Sequence, residues 1–331
     1  MKRLVFARTG PPAEVLRLED DVPTPVPQRG EVLVRMLAAP INPSDLMFIG
    51  GRYGLQPQVP AVPGFEGVGI VVSQGGGLLA RLRLGQRVAL LGARSGTWTE
   101  YTVAAARQVL PVPDDWPDEQ AATFFVNPAT ALAMVRYVLR VPRGAWLLQT
   151  AAASEVGKMV IRLGRWYGFR TLNVIRRPEQ REQLQRLGAD VILLDSDGPL
   201  AEQVARHAPE GVRFGLDPVG GPLGSALLAA LAPGAHALIY GSLADAPLQV
   251  DPRLLISTGL CVQGFWLARW LTHQNLFRLL RFFRRVRRLI GQGVLQSSIA
   301  AVYPLEQYLA ALEHASRPGK GGKVLLRLGS R

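Results

Sequence analysis

Apolar positions along this chain come in two textures. Over residues 1–117 they form short runs, at 4–7, 32–38, 69–72, 87–91 and 97–103, separated by Gly and Pro. Runs of that length, broken by turn-forming residues, predict a small, irregular β domain. Within it, residues 41–69 read as one long loop strewn with Pro and Gly, and such loops usually carry function. Past Trp116 the spacing changes. Residues 118–139 repeat at helical intervals, and strand-like runs follow at 146–149, 170–175, 191–195, 213–217, 237–240 and 260–265. Helical segments at 178–187, 200–207 and 223–231 fill gaps between them. Strands alternating with crossover helices predict an α/β fold built on a doubly wound parallel sheet. The tail, 302–328, predicts one more helix and a closing strand, KVLLRL, that rejoins the first domain.

The chemistry concentrates in residues 145–177. An apolar run to Gln149 meets a turn of small residues, Thr150 to Ser154, and then helical spacing takes over at Val156, Met159, Val160, Leu163 and Tyr167. A second extended run follows Gly168. Strand, tight turn, helix and strand make the unit that places a pyrophosphate at a helix N-terminus. Against the G-x-G-x-x-G fingerprint the three positions hold Ala152, Ser154 and Gly157, so only the last glycine is present. Ala and Ser are still small enough for a backbone to approach a phosphate. Glu155 is out of place, because a carboxylate there repels a pyrophosphate unless it points away. An ordinary crossover with no ligand stays open on these residues alone.

The end of the second strand sharpens the choice. A site for NAD expects an acid that accepts from the ribose 2′-hydroxyl; this chain has Asn173, then Arg176 and Arg177. Guanidinium groups match a phosphate in geometry and charge, which favours NADP(H). Two further turns, after Asp217 and at Gly241 after Tyr240, fall at carboxyl strand ends where a dinucleotide lies.

Composition adds bounds. With 331 residues, 48% of them hydrophobic, the chain can bury a large core and split into two domains. No apolar run reaches the ~18 residues that a membrane span needs. The opening, MKRLVFARTG, reads as a first strand and not as a signal peptide. Cys261 is the only cysteine, which excludes an internal disulfide and a cysteine-based zinc cluster and fits a cytoplasmic setting. The net charge of +13 suits either nucleic acid or a polyphosphate ligand, but no RNA-binding motif, zinc finger or basic tail accompanies it. Part of that charge stripes one predicted helix, 276–290. Leu276, Leu279, Leu280, Phe283, Val286 and Ile290 would form its buried face, and Arg278, Arg281, Arg284, Arg285, Arg287 and Arg288 its wet one.

The order of parts resembles the medium-chain dehydrogenase/reductase superfamily over the whole chain. That resemblance implies a GroES-like β domain (1–117 and 267–331) and a Rossmann domain that binds the cofactor (118–266). The zinc-dependent members carry G-H-E-x-x-G, with the histidine as ligand. Here the segment is Gly64-Phe65-Glu66-Gly67-Val68-Gly69, and His207, His236, His273 and His314 are scattered without ligand spacing. About three protein ligands, the number a catalytic zinc needs, are absent from the pattern. The chain is therefore similar to the metal-free branch, with its quinone oxidoreductases and enoyl thioester reductases.

Within that branch it resembles the mitochondrial-type trans-2-enoyl-CoA/ACP reductases. Residues 42–54, NPSDLMFIGGRYG, match that family's catalytic segment, which implies Tyr53 as the catalytic residue. The turn QTAAASEVG places Ala152, Ser154, Val156 and Gly157 at the NADPH phosphates, with an arginine after the second strand. NPATA, 127–131, implies Thr130 near the nicotinamide. GFWLARW, 264–270, implies an acyl tunnel lined by Phe265, Trp266 and Trp270, with plain core as the alternative. Asn42 stands where zinc-dependent relatives have a cysteine ligand, and its amide is a candidate partner of the nicotinamide ribose or the substrate carbonyl. The resemblance also implies an acyl thioester on CoA or a carrier protein as the small-molecule partner, whose phosphate could meet the striped arginines. It further implies a homodimer through the edge of the Rossmann sheet. Two rivals remain: a quinone or alkenal reductase on the same fold, and a non-enzymatic NADPH-binding or nucleic-acid-binding protein.

Overall fold

The computed structural model describes residues 1–91 and 95–329. They fall into two compact units, Met1–Val126 with Ser297–Arg331, and Asn127–Gln296.

The first unit is the irregular β domain. Strands β1 (Arg3–Phe6) and β2 (Leu16–Glu19) pair as an antiparallel ribbon. Among the described residues the main sheet has seven strands: β3 (Glu31–Pro40), β4 (Glu66–Gln74), β5 (Arg87–Leu91), β6 (Tyr101–Ala105), β7 (Val109–Pro111), and, from later in the chain, β14 (Ile299–Pro304) and β15 (Lys323–Arg327). β3 is its axis, pairing antiparallel with β4, β6 and β15. The closing strand thus rejoins the first unit as expected, by pairing Leu325 with Pro40 and Arg327 with Ala38. Leu4, Phe6, Val32, Val34, Met36, Leu90 and Trp98 sit at the centre of the core, all essentially without exposure.

Residues 41–69 are not one loop. Pro43–Ile49 is helical, and β4 already begins at Glu66. The local reason was present in the sequence: Asn42 at the N-cap, Pro43 at the first helical position, and Asp45 three residues on, whose carboxylate reaches back to the Asn42 backbone N–H at 2.7 Å.

The second unit holds six strands: β8 (Trp146–Gln149), β9 (Arg170–Ile175), β10 (Val191–Leu194), β11 (Phe214–Asp217), β12 (His236–Ile239) and β13 (Cys261–Gly264). Their order is β10-β9-β8-β11-β12-β13, and every neighbouring pair is parallel. This is the doubly wound sheet expected from the sequence, with the strand order reversing between β8 and β11, the place where such sheets bind ligands. Predicted helix 118–139 is broken into Asp118–Ala122, Val126–Leu132 and a π-helical stretch, Ala133–Val138.

The striped helix runs from Leu276 to Gly291 and belongs to the second unit, so the chain re-enters the first only at Ser297. Its buried face is rotated from the expected one. Phe282, Val286, Leu289 and Ile290 are buried, whereas Leu276 and Leu280 are 69% and 43% exposed. Phe282 sets the rotation, because its ring packs against Tyr137 (5.3 Å between centroids) and Trp270 (5.0 Å).

Candidate active site

In the second unit the turn after β8 is built for close approach. Ala151 adopts a left-handed conformation (φ 47°), and the buried Ala152 donates its N–H to Val174 of β9 at 3.1 Å. Ser154 caps the helix Glu155–Tyr167, its hydroxyl accepting from the Gly157 N–H at 3.1 Å. A Cβ on Gly157 would lie 2.7 Å from Ala152 Cα, so the one fingerprint glycine present is the one that packing demands. Val156, one residue into the helix, is buried. Glu155 does not confront the turn as a bare charge. Its carboxylate is paired with the buried Lys158 ammonium at 2.8 Å within the same helix, which removes the expected repulsion.

Two more turns meet there. The Asp217 carboxylate accepts from the Thr150 hydroxyl and from the N–H groups of Val219 (3.0 Å) and Gly220 (2.8 Å). Gly241 passes so near Pro218 that a Cβ would sit 2.7 Å from its carbonyl oxygen. The Tyr240 hydroxyl is buried beside Ser154 without a hydrogen bond of normal geometry. Burial, and then the Asp217 charge, push its pKa well above the ordinary phenol value. A capped helix N-terminus, an unpartnered buried hydroxyl and two glycine-dictated close passes fit a pyrophosphate.

Arg176 and Arg177 follow β9 directly, the first exposed and the second half-exposed, and neither pairs with a carboxylate among the described residues. Asn173 requires a correction. It is fully buried in mid-strand, where its amide bonds Gln149, Thr171 and the Val191 carbonyl across three strands, so it cannot reach a ribose. Thr130 lies in the helix Val126–Leu132, buried but for a tenth of its surface. In GFWLARW, Phe265 is buried and Trp266 is 39% exposed, whereas the partly buried Trp270 packs against Tyr137 and the buried Phe282. Of the three, Trp270 is therefore engaged in an aromatic cluster within the second unit.

In the first unit Tyr53 is half-buried at the end of an aromatic series. Its ring lies 5.2 Å from Phe65, Phe65 lies 5.2 Å from Phe48, and Phe48 meets Phe6 edge-on at 5.7 Å. Gln56 fixes its backbone by donating to the Tyr53 carbonyl at 3.1 Å. Phe65, the residue in the histidine position of the zinc-dependent pattern, is thus the platform for the phenol.

Asn42 is not free to meet a ligand. It donates to Glu66 Oε1 at 2.9 Å, and its Oδ1 accepts from the Lys323 ammonium, with all three side chains buried. Glu66 Oε2 also accepts from the N–H groups of Phe125 (3.1 Å) and Val126 (2.7 Å), and Asp45 Oδ1 accepts from the Phe65 N–H at 3.1 Å. Sequence reasoning assigned no role to Glu66 or Lys323. The only signal was a lysine opening a strand whose next three residues, Val324 to Leu326, are apolar. Burial raises the Glu66 pKa, with the Lys323 charge and the three hydrogen bonds opposing it. Burial likewise pushes Asp45 up to about 7, and the charge of Glu66 adds to it. Among the described residues no group of three or more His, Cys, Asp or Glu could hold a metal ion, and no helix is long and apolar enough to cross a membrane.

A raised carboxyl pKa means that the folded chain holds a proton the unfolded chain has released. The Asp45 contribution is therefore fully present below about pH 4 and is lost as pH rises through about 7. Melting temperatures of the natural chain and of Asp45→Asn, measured from pH 4 to 8, should separate by a pH-dependent margin. The natural chain loses ground as pH rises, by on the order of a few kcal/mol over the window. Parallel curves would show that Asp45 is ionised throughout.

Comparison with known proteins agrees with this geometry. Residues 28–114 match the alcohol dehydrogenase GroES-like domain, and residues 156–284 match the zinc-binding dehydrogenase domain. The chain is 36% identical to mitochondrial enoyl-[acyl-carrier-protein] reductase of Mus musculus over 334 residues, covering 99% of this chain and 89% of that one. Among solved structures it is similar to a Bacillus thuringiensis protein provisionally described as an NADPH:quinone reductase (TM-score 0.92, 33% identity, 99% of each chain). It is also similar to a mycobacterial protein complexed with NADPH (TM-score 0.88, 27% identity, 99% of this chain and all of that one). The chain thus belongs to the medium-chain dehydrogenase/reductase superfamily of oxidoreductases, in the family of the mitochondrial enoyl-[acyl-carrier-protein] reductases.

Proposed function

We propose that this protein reduces the α,β double bond of a trans-2-enoyl thioester, carried on CoA or on an acyl carrier protein, at the expense of NADPH. The full-length likeness to enoyl-[acyl-carrier-protein] reductases carries this reading, and the phenol held on Phe65 supports it. The cofactor fits residues of the second unit. The helix N-terminus at Ser154 to Gly157 and the turn at Gly241 would hold its pyrophosphate, Arg176 and Arg177 its 2′-phosphate, and Thr130 would face the nicotinamide. When bound, it supplies the hydride that the β-carbon accepts.

The chain's own part is to manage the charge that results. As the β-carbon is reduced, negative charge gathers on the thioester oxygen, and a donor aimed there stabilises the transition state more than the ground state. Tyr53 fills that role: its hydroxyl donates to the oxygen and can then pass a proton toward the α-carbon. Asn42 acts at one remove, by fixing Glu66 and Lys323 beneath the helix that leads to Tyr53. Phe265 and Trp266 offer apolar surface to the acyl chain. The homodimer is part of the same proposal. Edge strand β13 is largely exposed, and the adjoining helix Pro252–Thr258 buries no residue and leaves Ile256 83% exposed, as a sheet edge awaiting a second copy would. A lone exposed thiol, Cys261, suits a reducing compartment such as the cytoplasm.

The rival acceptor is a quinone or an alkenal, which the likeness to a quinone reductase favours. NADPH oxidation followed with crotonyl-CoA and with a naphthoquinone separates the two. Turnover should be faster with the thioester, and none with any enoyl thioester would sink the proposal. Tyr53→Phe should lower kcat by about 10²–10³ while leaving NADPH affinity nearly intact; unchanged turnover removes Tyr53 from the mechanism. Replacing Arg176 and Arg177 by Ala should lower the preference for NADPH over NADH by about tenfold or more, the worth of one charge-assisted hydrogen bond. A ratio that does not move would refute the 2′-phosphate assignment.

A further inference from the structure

The striped helix holds arginines that the proposed reaction does not use. Arg285, Arg288 and Leu289 line a cleft of about 110 Å³ together with Trp166 and Tyr167, the last residues of the helix that begins at Glu155. A third guanidinium, Arg136, lies over the Tyr167 ring at 4.4 Å from its centroid. Burial raises the Tyr167 pKa, while the charges of Arg285, Arg136 and Arg288 pull it down, so all three cations lie within electrostatic reach of one phenol. None of the three pairs with a carboxylate among the described residues. Arg136 donates to the Val141 carbonyl at 3.2 Å, and its buried Nε has no partner. Trp166 leaves nearly half of its indole open (46% exposed).

Three like charges gathered without a counter-ion repel one another. The helix C-terminus beside them offers only about half a negative charge. An anion is what would complete the arrangement. Guanidinium forks bind phosphate oxygens in pairs, and the open indole beside them is a flat surface on which a base can stack. The cleft lies at the far end of a 13-residue helix from Ser154, roughly 20 Å away at 1.5 Å per residue, so it is separate from the cofactor turn.

We infer that this cleft binds a phosphorylated purine, with the phosphate held by Arg285 and Arg288 and the base laid on Trp166. The phosphoadenosine end of CoA and a free nucleotide share this chemistry. The inference itself does not depend on the reductase reading.

The test is calorimetry on the protein without cofactor, because NADP⁺ is itself a phosphorylated purine and would fill the cleft; the arginine variant separates cleft binding from binding at the cofactor turn. Adenosine 3′,5′-bisphosphate should bind, and bind tighter than inorganic phosphate. Arg285→Ala with Arg288→Ala should weaken it by at least about tenfold. Trp166→Leu should weaken the bisphosphate but not inorganic phosphate. These residues are exposed or at the cleft surface, and the melting temperature of each variant checks that it is folded. No heat at millimolar bisphosphate, or binding that the arginine pair does not affect, overturns the inference. The KM for crotonyl-CoA distinguishes the sources. A rise in the arginine variant, without one for crotonyl-pantetheine, assigns the cleft to CoA, and an unchanged KM with intact bisphosphate binding in the natural chain assigns it to a free nucleotide.

Discussion

Taking charged groups out of water is tolerable only where each finds its partner, and the first unit stakes its local order on that rule at Asn42, Asp45, Glu66 and Lys323. The four side chains join segments that are far apart in sequence: the cap of the helix Pro43–Ile49, the start of β4, the backbone at Phe125 and Val126, and the first residue of β15. The aromatic series grows from the same base. Asp45 holds the Phe65 backbone, and the Phe65 ring holds Tyr53. The position of a surface phenol therefore depends on a network that never meets solvent.

The second unit solves the converse problem, keeping charge near an anion site without spoiling it. Glu155 and Lys158 neutralise each other inside one helix, and Asp217 turns its oxygens onto Thr150 and two backbone N–H groups. Among the described residues the arginines after β9 are left without a carboxylate partner, and the buried Tyr240 hydroxyl and Gln149 Oε1 are left without hydrogen bonds. A polyanion is the ligand that such an inventory suits.

Much of this was legible in the sequence, and the physical reason separates what was from what was not. The inner parallel strands announced themselves because strands buried on both faces are continuous apolar runs, and the helix at Glu155 because its apolar stripe keeps period. Gly157 was legible because only glycine fits against Ala152. The helix at Pro43 was legible too, in the capping pattern of Asn42 and Asp45, but the density of Pro and Gly around it suggested a loop. Asn173 misled because distance from the end of a strand is not readable to a residue or two, and a mid-strand amide bonded across the sheet resembles a ligand contact until its neighbours are known. The rotation of the striped helix followed from Phe282 meeting Tyr137 and Trp270, a long-range choice that its own periodicity could not reveal. The bond between Lys323 and Asn42 spans 281 positions, and no local pattern encodes it.

That span has a bearing on how the molecule is made. β15 lies between β14 and β3, so a nascent chain carries an unfinished sheet, with the Ala38–Pro40 end of β3 bare on one flank and two buried acids lacking their cation, until residues 323–327 leave the ribosome. Residues 127–296 are contiguous and suffer no such delay. The middle of the polypeptide can therefore mature while its beginning waits, reversing the usual order in which domains emerge and fold. A chaperone that guards this protein during translation would find its client surface at the start of the chain.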